Sequence, residues 1–489
     1  MTDPTTNAAL AGKYDAVAYD SRALPLTHPD HIATVATMFG NTAVAPAACR
    51  MLELGCADGA NLVPIAATFP AASFVGCDLS PRAIAAGRRM IADLGLANVT
   101  LHEQDLRSLP EALGTFDYIV AHGVYSWVPA PVRDALLALA ARRLSPDGIL
   151  YVSYNTYPGG HVRRAAWDIL HHHVDALPDP RARLAAAREI ASLLADEGAT
   201  EVDTDVLLRS EFRDIAARTD SLLFHDDLAA PNDPVHFHEF IAHARRHGLA
   251  FVAEAQPWMM STAGLAPRMR QYVAGLDPLR REQYLDFARF RRIRHSLLCR
   301  AGGDTRVEIV PARAATMQVG APRALVRAID EGRLPAKAGG GDAIHALLCA
   351  LAEDSPRAMT FAEAARFLHG RGPLPRPVET MIADAWFGGT LELGVEPRAI
   401  AGVPGRHPQA SPVARWQAQR QEQLTTLRHE GVRLADPVAR QLLAALDGSR
   451  DRAQLAAALA PALPGRDAQA FVDDYLRMFA RQALLLPAD

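Results

Sequence analysis

The stretch Glu53-Leu54-Gly55-Cys56-Ala57-Asp58-Gly59 follows directly on a short apolar run that begins at Met51. Its composition predicts the end of a buried strand that carries an acidic residue and leads into a glycine-rich turn. Further along, apolar residues recur at helical spacing, at Leu62, Ile65, Ala66 and Phe69. Glycine lets the backbone come close to a ligand, and the free N–H groups at a helix start attract negative groups. We therefore expect this loop to bind a nucleoside cofactor.

Strands and helices alternate along the chain after this loop. Short apolar runs predict strands at 51–54, 74–77, 99–102, 116–121, 149–154, 248–254 and 296–300. Such alternation is typical of a parallel sheet with helices on both faces. We predict an α/β fold with a Rossmann-like, seven-stranded, mostly parallel sheet. Because helices separate the last two strands from the others, we also expect contact between residues near 150 and residues near 298.

The length of 489 residues suggests about three domains, at roughly 150 residues each. We predict a first domain at 1–302, with a helical insertion and regulatory segment at 161–295. A middle domain at 303–410 is expected to be helical or winged-helix-like. A C-terminal domain at 411–489 follows the pattern of a small α+β winged helix. The inserted helices at 161–247 are a candidate homodimer surface.

The bulk composition excludes several classes of protein. A formal net charge of -4 gives no electrostatic reason to expect a nucleic-acid partner or a membrane surface. No apolar run approaches the ~18 residues of a membrane span, and the N-terminal residues lack an apolar signal core. The five cysteines are scattered without a CxxC pair, which fits a reducing compartment and gives no zinc site. We expect a cytoplasmic protein that binds no metal.

Acidic residues at successive strand ends identify the cofactor. The loop has the spacing G-x-x-x-G, whereas a dinucleotide fingerprint needs G-x-G-x-x-G. Asp78 ends the second strand, where its carboxylate can accept both ribose hydroxyls, and Asp105 can bind the amino group of adenine. Glu53 adds negative potential near a sulfonium cation. We predict S-adenosylmethionine, held by Glu53, Gly55, Cys56, Ala57, Asp58, Gly59, Asn61, Asp78, Leu79, Gln104, Asp105, Leu106, His122 and Gly123.

Two further stretches narrow this expectation: Ala121-His122-Gly123-Val124-Tyr125-Ser126-Trp127-Val128 and Val152-Ser153-Tyr154-Asn155-Thr156-Tyr157-Pro158-Gly159. With the loop, they resemble the class I methyltransferases that carry a methyltransferase regulatory domain, a group that includes rickettsial outer-membrane-protein lysine methyltransferases. The stretches 234–240 and 290–292 resemble its regulatory segment, and 411–416 resembles its winged-helix region. The resemblance implies S-adenosylmethionine as methyl donor, S-adenosylhomocysteine as product and, for the characterised members, protein lysine as acceptor. One departure is Ala57, which stands where many methyltransferases have glycine.

Six residues after the fourth and fifth strands are predicted to surround the methyl acceptor: His122, Tyr125, Trp127, Tyr154, Asn155 and Tyr157. An aromatic wall suits a lysine stem and its ammonium group through cation–π contact. In this interpretation Asn155 orients the amine and His122 can take a proton. Methyl transfer is an in-line displacement, so the enzyme mainly positions the nucleophile.

Three functions remain open at this point. The leading hypothesis is transfer of a methyl group to a protein side chain, with lysine as the acceptor. The second is a small-molecule or natural-product methyltransferase, which requires a closed pocket beneath the inserted helices. The third is a regulatory protein that binds the cofactor without catalysis.

Overall fold

The computed structural model describes residues 17, 19–196, 203–302, 307–331, 333 and 343–487. Its central sheet consists of β1 (Arg50–Leu54), β2 (Ser73–Asp78), β3 (Val99–Glu103), β4 (Phe116–Ala121), β5 (Leu144–Asn155), β6 (Leu249–Glu254) and β7 (Ile293–Arg300). The spatial order is β3-β2-β1-β4-β5-β7-β6. Strand β7 runs antiparallel to both of its neighbours, and the other pairs are parallel. The predicted seven-stranded, mostly parallel sheet is confirmed.

The late strands join the sheet at the predicted place. Leu150 of β5 lies opposite Leu298 of β7, so the expected contact between these two regions is confirmed. Both strands are buried along most of their length, because helices cover them and each has a partner on both sides. A strand buried in this way carries a continuous apolar run, and such runs are visible in the sequence.

Helices connect and cover these strands. In chain order they are α1 (Pro29–Met38), α2 (Leu62–Thr68), α3 (Pro81–Leu94), α4 (Ala130–Arg143), α5 (Gly160–Val174), α6 (Pro180–Ala195), α7 (Asp203–Ala216), α8 (Asp220–Leu222), α9 (Phe237–Arg246), α10 (Pro267–Ala274) and α11 (Pro278–Arg289). Helix α3 begins where Ser80 Oγ accepts a hydrogen bond from the Ala83 N–H, with Pro81 as its first residue. It ends at Gly95, whose φ of 66° is left-handed. None of the helices that the structure describes has the length and apolar character that crossing a bilayer requires.

The inserted helices α5 to α8 form a small core of their own. Its buried residues include Ala166, Leu170, Ala187, Phe212 and Leu223. After α8 the chain makes a π-helical turn, Leu223–Asp227. This turn brings the insertion to the edge of the central sheet where the functional site lies.

The residues after β7 form two further units. The first contains β8 (Gln318–Gly320), α12 (Arg323–Asp330), α13 (Ala343–Glu353), β9 (Met359–Thr360), α14 (Phe361–His369), α15 (Val378–Phe387) and β10 (Glu392–Gly394). Its three strands pair antiparallel in the order β10-β8-β9. Its buried residues, among them Leu347, Ile382 and Leu393, belong to the same continuous hydrophobic core as the central sheet.

The last unit is a winged-helix domain with a separate core. It consists of α16 (Pro412–Ala418), β11 (Gln423–Thr425), β12 (Gly431–Arg433), α17 (Pro437–Ala444), α18 (Arg452–Leu459) and α19 (Ala468–Arg481). Strands β11 and β12 pair as a hairpin, and Leu442, Leu476 and Phe479 are central to the core. We call residues 426–430 the hairpin turn. The predicted domain boundaries at 302 and 410 stay a prediction.

Candidate active site

A cavity of about 460 Å³ lies at the carboxyl ends of β1, β2, β3 and β4. Ligands of α/β sheets bind at this edge, and the volume is that of a typical small-molecule site. The loop after each of these strands contributes to the wall. Predicted cofactor residues on the wall are Gly55, Ala57, Asp58, Asp78, Leu79, Gln104, Asp105, Leu106, His122 and Gly123.

The loop after β1 turns sharply because three of its residues have left-handed backbone conformations. Gly55 has φ 74°, Ala57 has φ 46° and Gly59 has φ 75°. A Cβ atom at Gly55 would lie 2.8 Å from Cγ2 of Val124, so only glycine fits there. For alanine the left-handed conformation costs about 1 kcal/mol. The Ala57 N–H donates to Asp78 Oδ2 at 2.9 Å, which offsets this cost.

Asp78 is fixed by two backbone hydrogen bonds. Its Oδ2 accepts from Ala57 and its Oδ1 accepts from the Ser80 N–H, each at 2.9 Å. These contacts hold the carboxylate at the carboxyl end of β2, where Asp78 lines the cavity. Contact of Asp78 with the ribose hydroxyls stays a prediction.

Asp105 lies on the wall in an ion pair with Arg107, in which Oδ2 and Nη2 are 2.6 Å apart. Its Oδ1 also accepts from the Arg107 N–H at 2.8 Å. Leu79 and Leu106 line the same part of the cavity. Contact of Asp105 with an adenine amino group stays a prediction.

The remaining predicted cofactor residues stand behind the loop and off the cavity wall. Glu53 is buried, and its Oε1 accepts from Asn61 Nδ2 at 2.7 Å. Burial raises the pKa of the Glu53 carboxyl to about 8. Cys56 is also buried, and its carbonyl accepts from the Gly59 N–H at 2.8 Å. These residues lie behind the loop, where they influence its conformation and the local electrostatic potential.

Two of the six predicted acceptor residues pack in the core. Tyr125 and Tyr154 are each 2% exposed, and Phe240 of α9 covers both rings at centroid distances of 5.1 and 4.0 Å. The Tyr125 hydroxyl is 2.8 Å from Nδ1 of His243. The Tyr154 hydroxyl is 3.1 Å from Oγ of Ser296. Neither side chain lines the cavity.

Asn155 and Tyr157 also lie outside the cavity. The Asn155 amide donates to Oδ1 of Asn232 at 2.9 Å, and the Tyr157 ring stacks on His161 at 4.2 Å. Both contacts join the end of β5 to the insertion. The structure therefore places Asn155 and Tyr157 where the end of β5 meets the insertion, and not on the cavity wall.

His122 and Trp127 do line the cavity. Nδ1 of His122 is 3.0 Å from the Tyr151 hydroxyl, which is in turn 2.7 Å from Nδ1 of His295. Burial lowers the pKa of His122 to about 3, so its imidazole is neutral and a poor proton acceptor near pH 7. This favours a positioning role for His122 over the predicted role as a base.

The wall contains residues that the sequence did not reveal. Tyr19 and Ser21 come from the N-terminal segment, and His225 and Asp226 come from the π-helical turn of the insertion. The rings of Tyr19 and His225 meet edge to face, with centroids 5.3 Å apart. No local pattern marks these residues, because the fold alone brings them to the strand ends.

Three family models match the chain. Residues 51–148 match a model described as a methyltransferase domain, and 219–300 match a predicted methyltransferase regulatory domain. Residues 407–470 match the PKMT C-terminal winged helix domain.

Two relatives come from Rickettsia prowazekii (strain Madrid E). The chain is 37% identical to the uncharacterized protein RP789 over 301 residues, which are 61% of this chain and 54% of RP789. It is 32% identical to the uncharacterized protein RP028 over 235 residues, which are 48% of this chain and 94% of RP028. The chain thus spans about half the length of the first relative and nearly all of the second.

The fold is similar to that of PKMT2 from Rickettsia typhi, with a TM-score of 0.83 and 23% identity. The match covers 96% of this chain and 100% of PKMT2, which is also known in complex with AdoHcy. The chain belongs to the class I S-adenosylmethionine-dependent methyltransferases that carry a methyltransferase regulatory domain. Its cofactor is S-adenosylmethionine, and the cavity fits that molecule by its volume and by the acidic residues Asp78 and Asp105 on its wall.

Proposed function

We propose that this protein transfers the methyl group of S-adenosylmethionine to lysine side chains of a protein substrate. The observation that carries the proposal is the composition of the cavity wall. Besides Asp78 and Asp105, the wall includes Trp127, Tyr19 and Asp226. Aromatic rings and a carboxylate on one cavity wall are a combination that attracts an alkylammonium group.

Asp226 is available for this role. Its carboxylate makes no side-chain hydrogen bond or ion pair within the described part of the chain, whereas the adjacent Asp227 is paired with Arg163 and Arg218. Asp227 is buried and Asp226 is partly exposed on the cavity wall. An incoming lysine ammonium would therefore find a carboxylate for which the described residues supply no competing partner.

When bound, the cofactor would supply a methyl carbon activated by its positively charged sulfur. A neutral amine nitrogen would form the new N–C bond in line with the C–S bond that breaks, and S-adenosylhomocysteine would leave as the neutral thioether. The protein has to bind the lysine side chain in the cavity and orient its amine. The ammonium has to lose one proton to water before transfer. Trp127 and Asp226 would orient the side chain, and the neutral His122 would shape the wall without holding a proton. Positioning of this kind supplies much of the rate enhancement of a two-substrate reaction.

The comparisons agree with this proposal. The winged-helix segment matches a domain described as that of PKMT, and the whole fold is similar to PKMT2 from Rickettsia typhi. That similarity, at 23% identity, concerns the fold. The choice of lysine therefore depends on the cavity.

The test uses the purified chain, cofactor with a radiolabelled methyl group and fractions of bacterial protein. We expect label in a polypeptide, recovered as methyllysine after hydrolysis. Asp226→Asn should lower this labelling by about tenfold or more while leaving cofactor affinity unchanged. Asp214→Asn, an exposed acid on α7, is the matched control and should retain full activity.

Two outcomes would contradict the proposal. Label found only in small molecules would identify a small-molecule methyltransferase. Tight cofactor binding with no label in protein or in small molecules would identify a non-catalytic cofactor-binding protein.

A further inference from the structure

Three side chains meet between α4 and the end of α9, outside the cofactor cavity. Oδ1 of Asp134 lies 3.1 Å from Nε2 of His243 and 2.8 Å from Nε2 of His247. The three atoms lie within 4.8 Å of one another. His243 and His247 are four residues apart, which places both imidazoles on one face of the helical segment.

We infer that Asp134, His243 and His247 form a binding site for a divalent transition metal ion, with Zn²⁺ as the first candidate. Two imidazole nitrogens and one carboxylate oxygen are donors that zinc and its neighbours prefer, whereas Mg²⁺ and Ca²⁺ prefer oxygen alone. A helix that presents two histidines four residues apart is a recurrent zinc-binding arrangement. The inference does not depend on the proposed function.

The distances fit such an ion. Zinc binds nitrogen and carboxylate oxygen at about 2.0–2.2 Å, so ligand atoms of a tetrahedral site are about 3.4 Å apart. The two separations from Asp134 Oδ1 are shorter than this by a few tenths of an ångström. Small rotations of the side chains would open the cluster enough to admit the ion.

The cluster combines ordered imidazoles with an open side. The side chains of His243 and His247 are 12% and 17% exposed, whereas that of Asp134 is 58% exposed. The protein thus fixes the two nitrogen donors and leaves water access for the remaining coordination positions. Arg133, the neighbour of Asp134, is paired with Asp233 at 2.6 Å, so its charge is largely neutralised.

A buried hydroxyl orients one of the imidazoles. The Tyr125 hydroxyl is 2.8 Å from Nδ1 of His243, and Tyr125 is fixed in the core by Phe240. When the His243 proton is on Nδ1 it donates to the Tyr125 oxygen, and Nε2 is then free to bind a metal. Ligating histidines usually have an outer partner of this kind, which sets the tautomer and the ring orientation.

The site would join two parts of the molecule. Asp134 lies in the segment that matches the methyltransferase domain, and both histidines lie in the segment that matches the regulatory domain. Tyr125 belongs to the same helical turn as Trp127, which lines the cavity. A bound ion would therefore fix the regulatory segment to α4 and support the turn that carries Trp127.

The test is calorimetric titration of the chelator-stripped full chain with ZnCl₂. We expect one ion per chain, a Kd of about 10 μM or tighter and a rise in Tm. The double variant His243→Ala/His247→Ala should weaken this binding by about tenfold or more. The control is His172→Ala/His173→Ala, which removes two exposed histidines from α5, and MgCl₂ should give no comparable heat.

A second measurement keeps the inference falsifiable if the double variant does not fold. Co²⁺ added to the wild-type chain should give visible absorption bands of nitrogen and oxygen coordination, and Asp134→Asn should change or abolish them. Absence of saturable zinc binding by the wild-type chain would overturn the inference. Equal binding by the wild-type chain and the double variant would overturn it as well, because the ion would then be bound elsewhere.

Discussion

Nε2 of His429 lies 2.8 Å from Oδ1 of Asn61, although 368 residues separate them in the sequence. His429 stands in the hairpin turn of the winged-helix domain, is 4% exposed and has a left-handed φ of 59°. The Asn61 amide also donates to Glu53 and Thr27 and accepts from the Leu24 N–H. All of its donors and acceptors are thus in use. Through this contact the winged-helix domain supports the residue that holds Glu53 behind the cofactor loop.

Replacing His429 should weaken cofactor binding. Burial keeps the pKa of His429 well below its usual value, so the ring is neutral and acts as an N–H donor. His429→Ala leaves a buried amide oxygen short of one donor, which costs about 1–2 kcal/mol, or roughly tenfold in the Kd of S-adenosylhomocysteine. Calorimetry measures this change. His429→Gln should restore part of the affinity, and His407→Ala, at an exposed position of the same domain, should have no effect.

If His429→Ala changed kcat but left the Kd of the cofactor unaltered, the role of His429 in cofactor binding would be contradicted. The pair of variants separates positioning from folding, because a merely destabilised protein would not be rescued by glutamine.

Cofactor affinity should depend on pH through Glu53. Its pKa is raised from 4.5 to about 8 by burial, so the folded chain holds a proton that the unfolded chain has lost. The contribution of this group to stability therefore falls as pH rises from about 4.5 to 8. A cofactor with positive charge favours the carboxylate, so its affinity should rise between pH 6.5 and 8.5 by at most about tenfold per unit.

Calorimetry in buffers of different ionisation enthalpy should detect proton release on binding near pH 7. Glu53→Gln should abolish this release, and Glu111→Gln, at an exposed site, should retain it. Binding by the wild-type chain without proton release would show that Glu53 is already ionised.

Asp78→Ala should abolish tight cofactor binding. The change removes both oxygens that accept from Ala57 and Ser80, and with them the carboxylate on the cavity wall that we predict to accept from the ribose hydroxyls. Hydrogen bonds to a charged group contribute about 1.5–3 kcal/mol each, so the Kd should rise by about 100-fold or more. Asp147→Ala, at an exposed position of β5, is the control. A Kd within threefold of wild type in Asp78→Ala would refute the assignment.

Tyr154→Phe should retain methyl transfer, whereas Trp127→Ala should lose about tenfold or more in kcat/KM. The reason is that Tyr154 packs under Phe240, while Trp127 lines the cavity. Loss of the hydrogen bond to Ser296 should lower the stability of Tyr154→Phe by about 1 kcal/mol. Steady-state kinetics with the labelled substrate measures kcat/KM for both variants. A large loss of kcat/KM in a stably folded Tyr154→Phe would return this residue to the acceptor site.

Arg294→Ala should destabilise the first domain by about 3–5 kcal/mol. The guanidinium is fully buried and contacts three carboxylates, those of Asp286 at 2.8 Å and of Glu254 and Glu282 at 3.2 Å. Without it, these carboxylates remain buried with too little positive charge. Urea unfolding measures the change. Arg280→Ala removes a largely exposed ion pair and should change stability by less than about 0.5 kcal/mol.

The sequence by itself determined the sheet, the cofactor loop and the strand-end acids. These features are local, because apolar runs, glycine spacing and the Ser80–Pro81 helix start depend on residues a few positions apart. Even the pairing of β5 with β7 followed, since two buried strands left over after a helical insertion have to join the sheet.

Only the tertiary structure decided which aromatic residues line the cavity. Tyr125, Tyr154 and Trp127 all lie close to strand ends, but α9 places Phe240 over the first two, and Trp127 lines the cavity wall. A sequence pattern reports that a side chain is apolar or aromatic. It does not report which distant element covers that side chain.

The same limit applies to Asp226, His429 and the cluster at Asp134. The role of each depends on a partner that is more than a hundred residues away or on a cavity built by several loops. Local propensity carries no information on such contacts, because they are fixed by how the insertion and the winged-helix domain pack against the sheet.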